Sequence, residues 1–112
     1  MSERVFTYPF ADIWKLYVAK VERKGRTVAE LEQVVGWLTG YSPAQLHTFE
    51  GDLRVFFTGA PALNSNVGLI RGVVCGIRVE DIEDPLMQQI RWMDKLVDEL
   101  ARGRKLAGIL RA

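Results

Sequence analysis

At 112 residues, 48% hydrophobic and 26% charged, with a net charge of +1, the chain suits one globular domain with a conventional core. Near-neutral charge excludes a global pull toward nucleic acid or an anionic membrane, and a single cysteine excludes an internal disulfide framework. No apolar run approaches the ~20 residues that span a bilayer and no secretory-type apolar region opens the chain, so the cytoplasm is the default compartment.

In chain order, Thr7-Tyr8-Pro9 reads as a helix start, followed by a stripe of Phe10, Ile13, Trp14, Tyr17 and Val21. Lys15, Lys20, Glu22, Arg23 and Lys24 fall on the solvent side, and Gly25 is the stop. Thr27 with Glu30 is a capping box opening a second helix, with Val28, Leu31, Val34, Val35 and Leu38 inward and Gly40 as its end. Ser42-Pro43-Ala44-Gln45 repeats that logic for a short third helix carrying Leu46 and Phe49 up to Gly51. Asp52 then caps Leu53-Arg54-Val55-Phe56-Phe57, read as one or two helical turns, with a strand as the alternative its aromatic and β-branched content allows.

Asn64-Ser65-Asn66 is a turn cluster. From Val67 to Val79 the residue types favour a strand, while Leu69, Ile70, Val73 and Val74 fit one helical face. The periodicity predicts a helix from Asn66 to Cys75 stopped at Gly76, then an extended Ile77-Arg78-Val79. On such a helix Gly68, Gly72 and Gly76 share a side and allow close packing. Asp84 and Pro85 form the N-cap and first position of the longest helix, whose stripe of Leu86, Ile90, Met93, Val97 and Leu100 recurs at spacings of four and three. Glu80, Asp81 and Glu83 lie at its positive dipole end, and Arg102 lies at the other. Leu106, Ile109 and Leu110 suit a last short docking turn. The expected architecture is mostly all-α: a compact orthogonal bundle of five to six helices over residues 1–112, with a short extended segment near Ile77–Val79.

Several stretches together resemble a known family. They include Tyr17-Val18-Ala19-Lys20, Lys24-Gly25-Arg26-Thr27, Trp37-Leu38-Thr39-Gly40-Tyr41-Ser42 and Ala60-Pro61-Ala62-Leu63-Asn64-Ser65-Asn66. Gly72-Val73-Val74-Cys75-Gly76-Ile77-Arg78-Val79-Glu80, Ile82-Glu83-Asp84-Pro85-Leu86-Met87-Gln88 and Asp94-Lys95-Leu96-Val97-Asp98-Glu99-Leu100-Ala101 complete the match. On these the chain resembles the prokaryotic domain of unknown function family 2200. The resemblance implies a soluble, mostly helical bacterial protein and brings no activity, cofactor or catalytic residue with it.

No catalytic set is evident, so the residues lean away from an enzyme. Cys75 and His47 form a conceivable nucleophile–base pair without a third orienting group, and a lone Cys between Val74 and Gly76 reads first as a small buried hydrophobe. Glu80, Asp81, Glu83 and Asp84 lack the alternation around a glycine of a calcium loop and read as dipole acids or partners of Arg78 and Arg91. No metal or cofactor is called for. The second and third helices have helix-turn-helix spacing, yet only Gln45 and His47 could read bases, and Glu50 and Asp52 would repel phosphate. Basic residues gather instead at Lys20, Arg23, Lys24 and Arg26, and at Arg102, Arg104, Lys105 and Arg111.

Two functional expectations remain. The first is a non-enzymatic interaction or adaptor domain, with the Leu86, Ile90, Met93, Val97 and Leu100 stripe serving either the core or a symmetric homodimer. The second is a small-molecule pocket or minor enzyme site assembled from Trp37, Tyr41, Asn64, Asn66, Cys75, Arg78 and Asp84. Nucleic-acid binding through basic helix ends ranks third.

Overall fold

The computed structural model describes residues 3–111. Helices α1 (Phe10–Arg23), α2 (Val28–Thr39), α3 (Pro43–Thr48), α4 (Leu53–Thr58), α5 (Pro85–Ala101) and α6 (Leu106–Ile109) build the body, so the fold is mostly all-α. A two-stranded antiparallel hairpin, β1 (Val73–Val74) and β2 (Ile77–Arg78), interrupts the sequence of helices. Three 3-10 turns, Glu3–Thr7, Val67–Leu69 and Val79–Asp81, connect the elements.

Local chemistry sets the boundaries. In the Thr27 box, the Glu30 N–H donates to Thr27 Oγ1 (3.1 Å) and the Thr27 N–H donates to Glu30 Oε1 (2.9 Å). Ser42 and Gln45 repeat the exchange at α3, and single caps from Asp52 and Asp84 start α4 and α5. Helices α1 and α5 end alike. Gly25 and Gly103 adopt positive φ, and the following N–H donates back to the carbonyl of Val21 (2.9 Å) or Glu99 (3.1 Å), a Schellman closure.

The apolar faces meet in one contiguous core. Phe10, Trp14, Tyr17 and Val21 of α1, Leu31, Val34, Val35 and Leu38 of α2, and Ile90, Met93, Val97 and Leu100 of α5 are buried together. Full burial of each such side chain contributes ~1.5–3 kcal/mol before ordering costs. Phe56 of α4 stacks on Phe10 at 3.9 Å and on Tyr41 at 4.6 Å between centroids, and Phe49 closes the cluster edge-on. The Tyr41 hydroxyl donates to the Phe56 carbonyl (2.6 Å), which satisfies the polar end of a buried ring.

One predicted element is replaced. No helix spans Asn66 to Cys75: a 3-10 turn covers Val67–Leu69, and the residues after Gly72 form the hairpin. Gly72 has φ +114, which no α-helix accommodates, so the three glycines do not share a helical face. Cys75 and Gly76, at φ +53 and +76, occupy the two central positions of a primed hairpin turn. The cysteine is therefore exposed at the tip, not buried. Val74 turns inward against α5, which the Val and Ile content had favoured. The extended segment is Ile77–Arg78, and Val79 already belongs to the next turn.

Candidate functional site

The N-terminal turn Glu3–Thr7 and the residues just after it supply part of the site. The N-terminal turn is pinned to the α3–α4 connection: the Leu53 N–H donates to the Tyr8 carbonyl (3.0 Å), and the Phe10 N–H donates to the Gly51 carbonyl (2.9 Å). Phe6 is buried, with the Arg54 guanidinium 5.0 Å from its ring centroid. Residues of the turn line two cavities, Val5 the first and Phe6 the second, and Met87 of α5 lines both.

The first cavity, about 350 Å³, lies between the turn, α1, α4 and α5. Val5, Ile13, Leu53, Met87 and Ile90 supply apolar walls, with Tyr8, Tyr17, Arg91 and Asp94 as the polar groups. Positions 87, 90, 91 and 94 share one face of α5, since helical neighbours recur every three or four residues. The Tyr17 hydroxyl donates a short hydrogen bond to Asp94 Oδ1, and Arg91 Nη1 donates to Asp94 Oδ2 (2.7 Å). Burial, then the Asp94 charge and hydrogen bond, push the Tyr17 phenol well above its ordinary pKa of 10.0, so it is a neutral donor. The Nε of Arg91 is buried and has no hydrogen-bond partner among the described residues.

The second cavity, about 510 Å³, is an open cleft between the turn and residues 77–87. Phe6, Ile77, Ile82 and Met87 make its apolar floor, and Arg78, Asp81, Glu83 and Asp84 make its rim. Asp84 is committed to capping, its carboxylate accepting from the Met87 N–H (3.0 Å). Arg78 reaches Glu80 (3.4 Å), as the sequence anticipated, whereas Arg91 pairs with Asp94. Glu80 also accepts the Gly72 N–H (2.9 Å), and that bond first, helped by Arg78, lowers its pKa. Asp81 and Glu83 are exposed carboxylates.

The seven residues expected to form one pocket are divided. Arg78 and Asp84 meet in the second cleft. Tyr41 is buried in the aromatic cluster and its hydroxyl is spent on Phe56. Asn64 belongs with the end of α2, its N–H donating to the Leu38 carbonyl (3.0 Å), and Asn66 ties to the C-terminal residues, its side chain donating to the Arg111 carbonyl (3.2 Å). Trp37 is half-buried against the core, and Cys75 sits on the hairpin tip. The polar groups that do converge, Tyr17, Arg91 and Asp94, went unread. The one local signal was an Arg–Asp pair three apart at the edge of the α5 stripe.

The stripe itself is spent inside the chain. Ile90, Met93, Val97 and Leu100 are 0–2% exposed beneath α1 and α2, and Leu86 lies half-buried at the rim, so this face is core rather than a free surface. The proposed base readers are also engaged: Gln45 closes its capping box and His47 Nε2 lies 2.5 Å from Glu32. The two basic runs do adjoin, but at helix ends. Lys20 and Arg102 share Asp98 (3.4 and 2.8 Å), and Arg26 donates to the carbonyls of Leu100 (3.1 Å) and Arg104 (2.8 Å).

Residues 4–111 match a family model described as "uncharacterized protein conserved in bacteria". The chain belongs to domain of unknown function family 2200. A crystal structure of "uncharacterized protein SP1917" shares this fold with a TM-score of 0.91, at 40% identity over 98% of this chain and 93% of that one. No curated protein matches the chain. The helical architecture is thus shared with that uncharacterized protein. No helix of the described residues is long and apolar enough to cross a membrane.

Proposed function

We propose that this family-2200 chain is a non-enzymatic interaction domain that docks a partner polypeptide in the cleft between the N-terminal turn and residues 77–87. One observation carries the reading: an apolar floor of Phe6, Ile77, Ile82 and Met87 lies beside Asp81 and Glu83, two exposed carboxylates with no hydrogen-bond or ion-pair partner among the described residues. A partner segment with a large apolar side chain next to Lys or Arg matches both features. The apolar group takes the hole, and the cation meets the rim, adding specificity and a faster encounter.

The test uses fluorescence anisotropy with two labelled peptides of equal length, alternating Leu-Lys and alternating Leu-Glu, at low salt. The Leu-Lys peptide should bind, weaken as salt rises, and weaken further on the double charge reversal Asp81→Lys, Glu83→Lys, because exposed charges are screened. Substituting Ile82→Asp should abolish binding to both peptides. Equal binding of the acidic and basic peptides, or none by either, would remove the proposal.

A further inference from the structure

The far end of α5 carries an inference independent of the docking cleft, since Asp98 lies roughly 16 Å along that helix from Met87. We infer that the cavity where the ends of α1 and α5 meet binds a small molecule through a terminal phosphate monoester.

Three observations specify this ligand. The first is charge. The cavity, about 460 Å³, is lined by Lys20, Lys24, Asp98, Ala101 and Arg102. Three cations around one carboxylate leave a local surplus of positive charge in a chain whose net charge is only +1. That surplus matches a phosphate monoester, which carries about −1.5 to −2 at neutral pH.

The second is that the donors are unspent. Asp98 takes Arg102 through Nε (2.8 Å) and Lys20 through Nζ (3.4 Å), and so holds both side chains at the cavity. The two Nη groups of Arg102 and the ammonium of Lys24 have no hydrogen-bond partner among the described residues. A guanidinium held at Nε keeps its Nη edge for a second oxyanion, and its two parallel N–H groups fit two phosphoryl oxygens.

The third removes the usual reason for cations at these positions. Lysine and arginine at a helix C-terminus ordinarily serve its open carbonyls and negative dipole end. Here the Val21 and Glu99 carbonyls accept the Arg26 and Arg104 N–H groups (2.9 and 3.1 Å), and the Glu22 carbonyl accepts the Gly25 N–H (3.0 Å). The Leu100 carbonyl accepts both the Gly103 N–H and Arg26 Nη1 (each 3.1 Å). Lys20, Lys24 and Arg102 are thus left for another anion. None of the five lining residues is aromatic and Ala101 alone is apolar, so recognition falls on the phosphoryl group rather than on a base or an apolar tail. A phosphodiester, with one charge and two esterified oxygens, matches neither the surplus nor the donors, which sets the site apart from a reader of nucleic-acid backbone.

The experiment is a protein-observed NMR titration at about pH 8 and constant ionic strength, comparing methyl phosphate with dimethyl phosphate. Methyl phosphate should give saturable shifts at the amides of Lys24, Asp98, Ala101 and Arg102. It should bind about tenfold more tightly than dimethyl phosphate, the factor one charge-assisted hydrogen bond supplies. Arg102→Gln and Lys24→Gln, both at exposed positions outside the core, should each weaken methyl phosphate by a similar factor, and the double substitution should abolish its binding. Lys15→Gln, at an exposed lysine of α1 outside the cavity, should change nothing. Equal binding of the two probes, a double variant that binds like wild type, shifts at Lys15, Arg54 and Arg71 as large as those at the cavity, or no saturable shift would overturn the proposal.

Discussion

Two residues with left-handed backbone, one strained and one not, can both be tested. Cys75 is the one described non-glycine residue at positive φ (+53), in a hairpin turn whose two central positions both need it. Its side chain is exposed, so no packing compensates for the left-handed conformation. Cys75→Asn should stabilise the protein by about 0.5–1 kcal/mol, read as a shift of the urea midpoint at unchanged slope, because Asn tolerates this region best after glycine. Gly40 shows the opposite case. It closes α2 at φ +83, and a Cβ there would lie 2.7 Å from the Ala62 nitrogen, a backbone atom that cannot step aside. Gly40→Ala should cost roughly 2–3 kcal/mol by the same measurement, the strain of a left-handed alanine plus displacement of the Ala62–Asn64 segment. That segment is itself bonded to α2, through the Ala62 N–H to the Thr39 carbonyl (3.0 Å).

Helices here are defined at their ends as much as by their faces. The Thr27–Glu30 box is reinforced by Arg26, whose Nη2 lies 2.8 Å from Glu30 Oε2. Arg26, then the Thr27 N–H, lower the Glu30 pKa from 4.5 to about 2. A depressed folded pKa contributes stability above the unfolded value, and that contribution is lost as pH falls through the folded one. The window is therefore about pH 4.5 down to 2. Glu30→Gln should lower the melting temperature at neutral pH and flatten its fall across that window. An acid limb identical to wild type would show that the start of α2 does not depend on this carboxylate. The capping patterns were legible in the sequence because an N-cap and its N3 partner lie within one turn of chain. Val67 to Val79 was not legible, since its Val, Ile and Gly content is compatible with both periods and the choice falls to contact between β1 and α5.

At the scale of the whole molecule, polar ties join distant parts of the chain across the core. Tyr17 and Asp94 are 77 residues apart. Arg111 reaches back to buried Glu99 (2.9 Å), which also meets Arg104 (3.2 Å) and Lys95 (3.7 Å), and so draws the C-terminal residues onto α5. The raised Tyr17 pKa gives a global signature: its contribution is complete below about pH 10 and is lost as pH rises beyond that. Tyr17→Phe should cost about 1 kcal/mol at neutral pH, one hydrogen bond to a carboxylate that keeps Arg91. Above pH 10 its stability should decline less steeply than wild type, followed by circular dichroism. By itself the sequence determined what depends on neighbours within a turn or two: helix starts and stops, the buried stripes of α1, α2 and α5, and the mostly helical class. Only the tertiary structure decided which helix meets which, and with it the site. Periodicity shows that a face is buried but not what covers it, so Tyr17, Arg91 and Asp94 acquire a common cavity only when α1 packs on α5 beneath the N-terminal turn.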